Sequence, residues 1–253
     1  MIRRIHHVGI VVERLTDAYA FYRDVLGLPL VREAEIADQG VRAALLAAGE
    51  SEIELLEPLG PATPVGRFLA KRGEGLHHLC FETPDAAAAL ADLQARGVRV
   101  LDGRPRPGLA GQIGFLHPSA CSGVLVELAT PAGPPAEESP SPLRLKRLVI
   151  GSEDVRATAA IFRSLFGFAE VAMNGGPRTM LAVGRGTLLV VPAREVGGTA
   201  GMVALSFVAE DFFALTAALS RAGTPRLDGT GEVTVEPAAS HGVHLHISRY
   251  MFP

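Results

Sequence analysis

The chain has no tryptophan, only two cysteines and only three tyrosines in 253 residues. Two thiols cannot make a disulfide framework, and in a reducing compartment Cys80 and Cys121 are expected to be buried thiols. Long apolar runs are missing as well. Val8–Val12 and Leu188–Val191 are among the longest, far short of a membrane span. Nor is there a basic excess: 24 Lys and Arg against 27 Asp and Glu give a net charge of −3, which argues against a general nucleic-acid binder. The first residues lack a small-residue cleavage site, so Met1–Val12 reads as a first β-strand and the cytoplasm as the expected compartment. What is present, 48% hydrophobic and 20% charged residues, describes a soluble globular protein long enough for two domains.

PAGPPAEESPSP (131–142) divides the chain into parts of similar size. Proline removes backbone donors and favours extended chain, so a linker is expected there, between a domain at 1–130 and another at 143–253. The two parts look like copies. AFYRDVLGLPLV (Ala20–Val31) aligns with AIFRSLFGFAEV (Ala160–Val171), and GLHHLCF (Gly75–Phe81) with GMVALSF (Gly201–Phe207). GVLVEL (Gly123–Leu128) likewise aligns with GVHLHI (Gly242–Ile247). Self-similarity on this scale is domain duplication.

Each copy also repeats internally. A strand at Ile2–Val12 is followed by a helix at Thr16–Leu26, with Thr16 as N-cap and Gly27 as stop. Strands are expected at Leu30–Ile36, Val41–Ala47 and Ile53–Leu56, then a short helix at Val65–Lys71. The pattern restarts with a strand at Leu76–Glu82 and a helix at Asp85–Arg96, then strands near Val98, at Ile113–Leu116 and at Val124–Leu128. The fold class is therefore α+β, built from four βαβββ units in two tandem domains.

His7 and Glu54 fall on the first and last strands of the first unit, and His78 and Glu127 on those of the second. If the two units curl into one cup, equivalent positions face one another and all four side chains converge. Two imidazoles and two carboxylates suit a borderline first-row divalent ion better than calcium or a thiolate-type zinc site. Strand alternation puts His7 on the cup side and His6 on the opposite face, so His6 and His77 read as structural.

The first domain resembles the methylmalonyl-CoA epimerases of the vicinal-oxygen-chelate superfamily, which also holds glyoxalase I and the extradiol dioxygenases. The resemblance rests on IHHVGIVV (Ile5–Val12), FYRDVLGL (Phe21–Leu28), Gln39–Gly60 with its ELLEPLG, KRGEGLHH within Arg67–Phe81, Gly97–Gly108, and FLHP followed by SGVLVEL up to Leu128. It implies a metal held by His7, Glu54, His78 and Glu127, with Co²⁺ first and Mn²⁺, Ni²⁺ or Zn²⁺ as alternatives. It also implies an acyl-CoA substrate, neither nucleic acid nor membrane as partner, and interconversion of (2R)- and (2S)-methylmalonyl-CoA through an enolate, with Glu127 as acid/base. The sequence departs from the pattern at Ala43, where some members carry a second acid/base Glu. Glu52, on the strand face of Glu54, and a metal-bound water are the two replacements open.

The repeat alignment carries His7 to Arg147, Glu54 to Leu188, His78 to Ala204 and Glu127 to His246, so the second cup is expected to hold no metal. In the His241, His244 and His246 cluster only the last two share a strand face, and no acidic partner is evident. By resemblance the second copy would act as a built-in partner, giving an internal pseudo-dimer, with whole-chain dimerisation also open. The competing readings are a glyoxalase I-type lyase with the same ligand set, another enzyme of the superfamily, and a non-catalytic protein that sequesters a small molecule.

Overall fold

The computed structural model describes residues 2–133 and 140–249; of the expected linker, residues 134–139 lie outside the described residues. In the first half β1 (Arg4–Val11) leads to α1 (Leu15–Tyr19), which widens into a π-helical turn over Ala20–Val25. β2 (Leu30–Ile36), β3 (Val41–Ala48), β4 (Ser51–Pro58) and α2 (Pro64–Arg72) complete the first motif. β5 (Gly75–Glu82), α3 (Ala86–Ala95), β6 (Arg106–Gly108), β7 (Gly111–Leu116) and β8 (Val126–Thr130) form the second. The second half repeats the order. Its third motif is β9 (Leu143–Ser152), α4 (Val155–Phe166), β10 (Glu170–Val171), β11 (Thr179–Val183) and β12 (Gly186–Pro192). Its fourth is β13 (Gly201–Ala209), α5 (Phe212–Arg221), β14 (Arg226–Gly229), β15 (Glu232–Val235) and β16 (His244–Ser248). Each half makes one eight-stranded sheet, ordered β2-β3-β4-β1-β5-β8-β7-β6 and β10-β11-β12-β9-β13-β16-β15-β14. The expected four βαβββ motifs are present, two to a sheet.

Helix starts follow side-chain capping. Asp85, Asp154 and Asp211 accept from the backbone N–H three residues on and open α3, α4 and α5, and Thr63 does the same for α2. Thr16 does not cap α1 as expected. The helix begins one residue earlier, because the Glu57 carboxylate from β4 accepts the Leu15 N–H at 2.7 Å and satisfies the first turn from outside. Gly27 ends this segment at φ +75°, in the left-handed region that suits glycine. Near Val98 only an isolated bridge forms, Val100 with Leu116, and the second motif takes its missing strand from β6 instead.

The side chains pack into two compact units. One takes its described residues from Met1–His7, His78–Pro135 and Arg147–Val203. Within it Phe81 lies 5.1 Å from the Phe166 ring and 5.2 Å from that of Phe168, and Arg96 donates to the Ser164 carbonyl at 2.6 Å. The other takes its described residues from Val8–His77, Ala136–Lys146 and Ala204–Pro253. There the fully buried Tyr22 donates its hydroxyl to the Ser240 carbonyl at 2.9 Å, and Glu74 meets His241 at 3.0 Å. Each unit is thus stitched from segments of both sequence repeats.

Candidate metal centre

β5 and β8 run parallel with Cys80 opposite Glu127, and antiparallel β7 sets Phe115 against the same Glu127. His78, two residues before Cys80, shares its side of the pleat. Its ring meets Phe115 edge-on at 5.5 Å, while Cys80, Ala110, Ile113 and Ala129 form an apolar patch against Phe115. His7 comes from β1, the next strand in the sheet. All three polar side chains are buried, His7 at 0%, His78 at 2% and Glu127 at 3% exposure.

Their functional atoms meet. His7 Nε2 is 2.9 Å from His78 Nε2, and the two Glu127 oxygens lie 3.7 Å from His7 Nε2 and from His78 Nε2. Glu54 is buried on β4. Of the four residues that the sequence singles out, His7, His78 and Glu127 meet at these distances. A buried carboxylate beside two buried imidazoles puts polar groups into a low-dielectric place, at a cost that a bound cation offsets. Imidazole nitrogen and carboxylate oxygen together suit a borderline divalent ion. The donor set fits such an ion.

One neighbour was assigned a different place. His6 was expected to point away, yet its Nδ1 lies 2.9 Å from His7 Nδ1 with the rings at 85°, and the residue is 5% exposed. Nδ1 is the ring nitrogen nearer the backbone, so two successive imidazoles can meet at the strand's edge even when their Cβ atoms leave opposite faces. His77, its counterpart on β5, instead stacks edge-on with Phe68 at 4.9 Å.

In the second half Arg147 stands on β9 opposite Thr187 of β12, donating to Thr187 Oγ1 at 3.4 Å, and burial lowers its pKa. The register corrects one assignment. Leu188 pairs with Leu148, one step out of phase with Arg147, so Thr187 and Leu189 occupy the side that Arg147 faces. Ala204 and His246 lie on β13 and β16 as expected, with Ser206 opposite His246. The histidine cluster does have acidic partners, but separate ones: Glu74 for His241, Glu236 for His244 and Glu232 for His246. Among the described residues, no three metal-ligating atoms of the second half converge.

Comparison with known proteins bears on the first half above all. Residues 6–116 match the model of the glyoxalase/bleomycin resistance protein/dioxygenase superfamily. The ethylmalonyl-CoA/methylmalonyl-CoA epimerase of Cereibacter sphaeroides is 41% identical over 131 residues, 51% of this chain and 98% of that protein. A solved variant of the methylmalonyl-CoA epimerase of Streptomyces coelicolor, in complex with 2-nitronate-propionyl-CoA, is 42% identical. It covers 53% of this chain and all of its own, with a TM-score of 0.51. The whole chain is similar in fold to a mutant 4-hydroxymandelate synthase from the same organism, with a TM-score of 0.73 at 16% identity. That likeness spans 100% of this chain and 95% of that one.

Proposed function

The chain belongs to the glyoxalase/bleomycin resistance/dioxygenase superfamily as a methylmalonyl-CoA epimerase-like member, and from that membership we propose that it interconverts (2R)- and (2S)-methylmalonyl-CoA. One observation carries the reading: His7, His78 and Glu127 meet within 3.7 Å of one another, in a chain that is 41% identical over 131 residues to an epimerase.

We assign His7, Glu54, His78 and Glu127 as ligands of a divalent ion, with Co²⁺ first and Mn²⁺, Ni²⁺ and Zn²⁺ as alternatives. Such an ion, when bound, supplies Lewis-acid stabilisation of negative charge developing on a substrate oxygen. The chain's own residues do the rest. The C2 proton sits between a thioester carbonyl and a carboxylate, and its loss leaves an enolate. Glu127, bedded against Phe115 and the patch of Cys80, Ala110, Ile113 and Ala129, takes that proton as general base and returns it as acid. The apolar wall excludes water and strengthens every charge interaction inside it.

Inversion requires proton delivery on the other face. Ala43, fully buried on β3 opposite Leu56, has no proton to give. Glu52 stands on β4 on the side shared by Glu54, opposite Ala47, and we assign it the second transfer. A cytoplasmic location accords with two buried cysteines outside any disulfide.

The test is incubation of metal-loaded protein with either epimer in deuterated water. Deuterium should enter C2 and the other epimer should appear, and both should cease in Glu127→Ala. No exchange with any of the four metals removes the epimerase reading. Tight metal binding without exchange would then favour a different small substrate.

A further inference from the structure

His6 is a positioning residue for the metal site: we infer that its Nδ1 accepts the Nδ1 proton of His7 and so keeps the His7 Nε2 lone pair aimed into the cup. The inference rests on His7 acting as a ligand through Nε2, as proposed above. It goes beyond that reading by giving a task to a residue outside the ligand set.

A neutral imidazole carries a single N–H, and its other nitrogen is the one able to bind an ion. His7 makes two close nitrogen contacts, Nδ1 with His6 Nδ1 and Nε2 with His78 Nε2, each at 2.9 Å. A contact of that length between ring nitrogens needs a proton on one side. If His6 donated, the proton of His7 would have to sit on Nε2, and the ligating lone pair would be lost. If His6 accepts, His7 holds its proton on Nδ1 and keeps Nε2 bare. The contact to His78 is then made by a proton on His78, which that ring can move to its own Nδ1 when both Nε2 atoms turn to an ion. Only the accepting arrangement leaves His7 ready to bind without losing a proton.

Position supports the assignment. His6 is 5% exposed and His7 0%, so bulk water does not compete for the Nδ1 contact. Partners that hold the far nitrogen of a ligating histidine set its tautomer and ring orientation, and their loss costs about ten- to a hundredfold in metal affinity. His77, at the matching position on β5, faces Phe68 instead, so the two motifs differ in this respect and His77 serves as an internal control.

A nearby thiol gives the inference a rival. His6, His7 and Cys80 each offer a donor atom within 4.8 Å of the others, so a thiophilic ion could be held by this trio directly, with His6 as ligand.

Four variants decide. Co²⁺ affinity is measured by chelator competition on the full chain, with the visible and near-ultraviolet spectrum as second readout, and fold integrity is followed by metal-free unfolding. His6→Leu should bind Co²⁺ about ten- to a hundredfold more weakly. His6→Asn, whose Oδ1 can stand where Nδ1 was, should recover most of the loss. His77→Leu should leave the affinity unchanged, and Cys80→Ser should leave the cobalt spectrum without loss of a band. Equal affinities for wild type and His6→Leu would overturn the positioning role. A thiolate-to-cobalt charge-transfer band in the wild type that vanishes in Cys80→Ser would overturn it too, in favour of direct ligation. If the wild type binds no metal, the ligand assignment itself fails, an outcome distinct from both.

Discussion

His7 Nε2 and His78 Nε2 lie 2.9 Å apart, although the residues belong to different βαβββ motifs and different strands. The same fold that sets β1 beside β5 therefore brings two copies of one motif position to a single point. Both imidazoles are buried, so whatever joins them, a proton or an ion, is screened from water.

Metal should consequently stabilise the folded chain. At a free concentration a hundred times the dissociation constant, binding to the native state alone adds about 2.7 kcal/mol to unfolding. His78→Ala should abolish that increment while remaining folded without metal. Chemical denaturation with and without Co²⁺ reads the difference; an undiminished increment in the variant would exclude His78 as a ligand.

Strand alternation and the repeated motif made the two sheets legible from sequence, and with them the strands that carry His7, Glu54, His78 and Glu127, because period-two burial and residue type survive in one dimension. Details set by pairing register or side-chain torsion did not. Leu188 is out of phase with Arg147 because the β9–β12 ladder couples Arg147 to Thr187. The Thr16 cap was displaced by Glu57, a residue on another strand. The rotation of the His6 ring toward His7 is likewise invisible without χ angles.

Phe81 is fully buried and packs on Phe166 and Phe168 from the other repeat. Phe81→Ala leaves a cavity in this aromatic cluster and should cost about 3–5 kcal/mol in urea unfolding. A loss well under 1 kcal/mol would mean that the cluster collapses to fill the space and that this unit does not depend on it.

Alkaline pH should weaken the fold through Cys121. Burial pushes its thiol from the ordinary 9.0 up to about 12. The folded chain therefore keeps a proton that the unfolded chain has lost, and stability present below pH 9 drains away as pH climbs toward 12. The slope contributed by this one group is about 1.4 kcal/mol per pH unit within that window. Tyr22, raised by its own burial and by Glu74, and Tyr19, raised by burial and by Glu33, add losses centred on the ordinary tyrosine value of about 10. Comparing wild type with Cys121→Ala at pH 9 and 10 isolates the thiol: the slope should be flatter in the variant, and an unchanged slope would exclude the assignment.

Two carboxylates with different tasks should separate kinetically. Glu127→Gln removes the base that touches C2, so deuterium exchange and epimerisation should fall together, by about 10²–10⁴-fold. Glu52→Gln should leave proton removal by Glu127 intact and block delivery on the opposite face. One epimer would then exchange its C2 proton for solvent deuterium with retention, while inversion slows by a similar factor. Following deuterium at C2 by NMR and the epimer ratio by chiral chromatography, in the same reaction, measures both rates at once. If Glu52→Gln slows neither, Glu52 holds no proton that matters; with Ala43 buried opposite Leu56, the second face must then be served by solvent water, and the inversion rate should follow the solvent isotope while remaining indifferent to every carboxylate except Glu127 and the ligand Glu54.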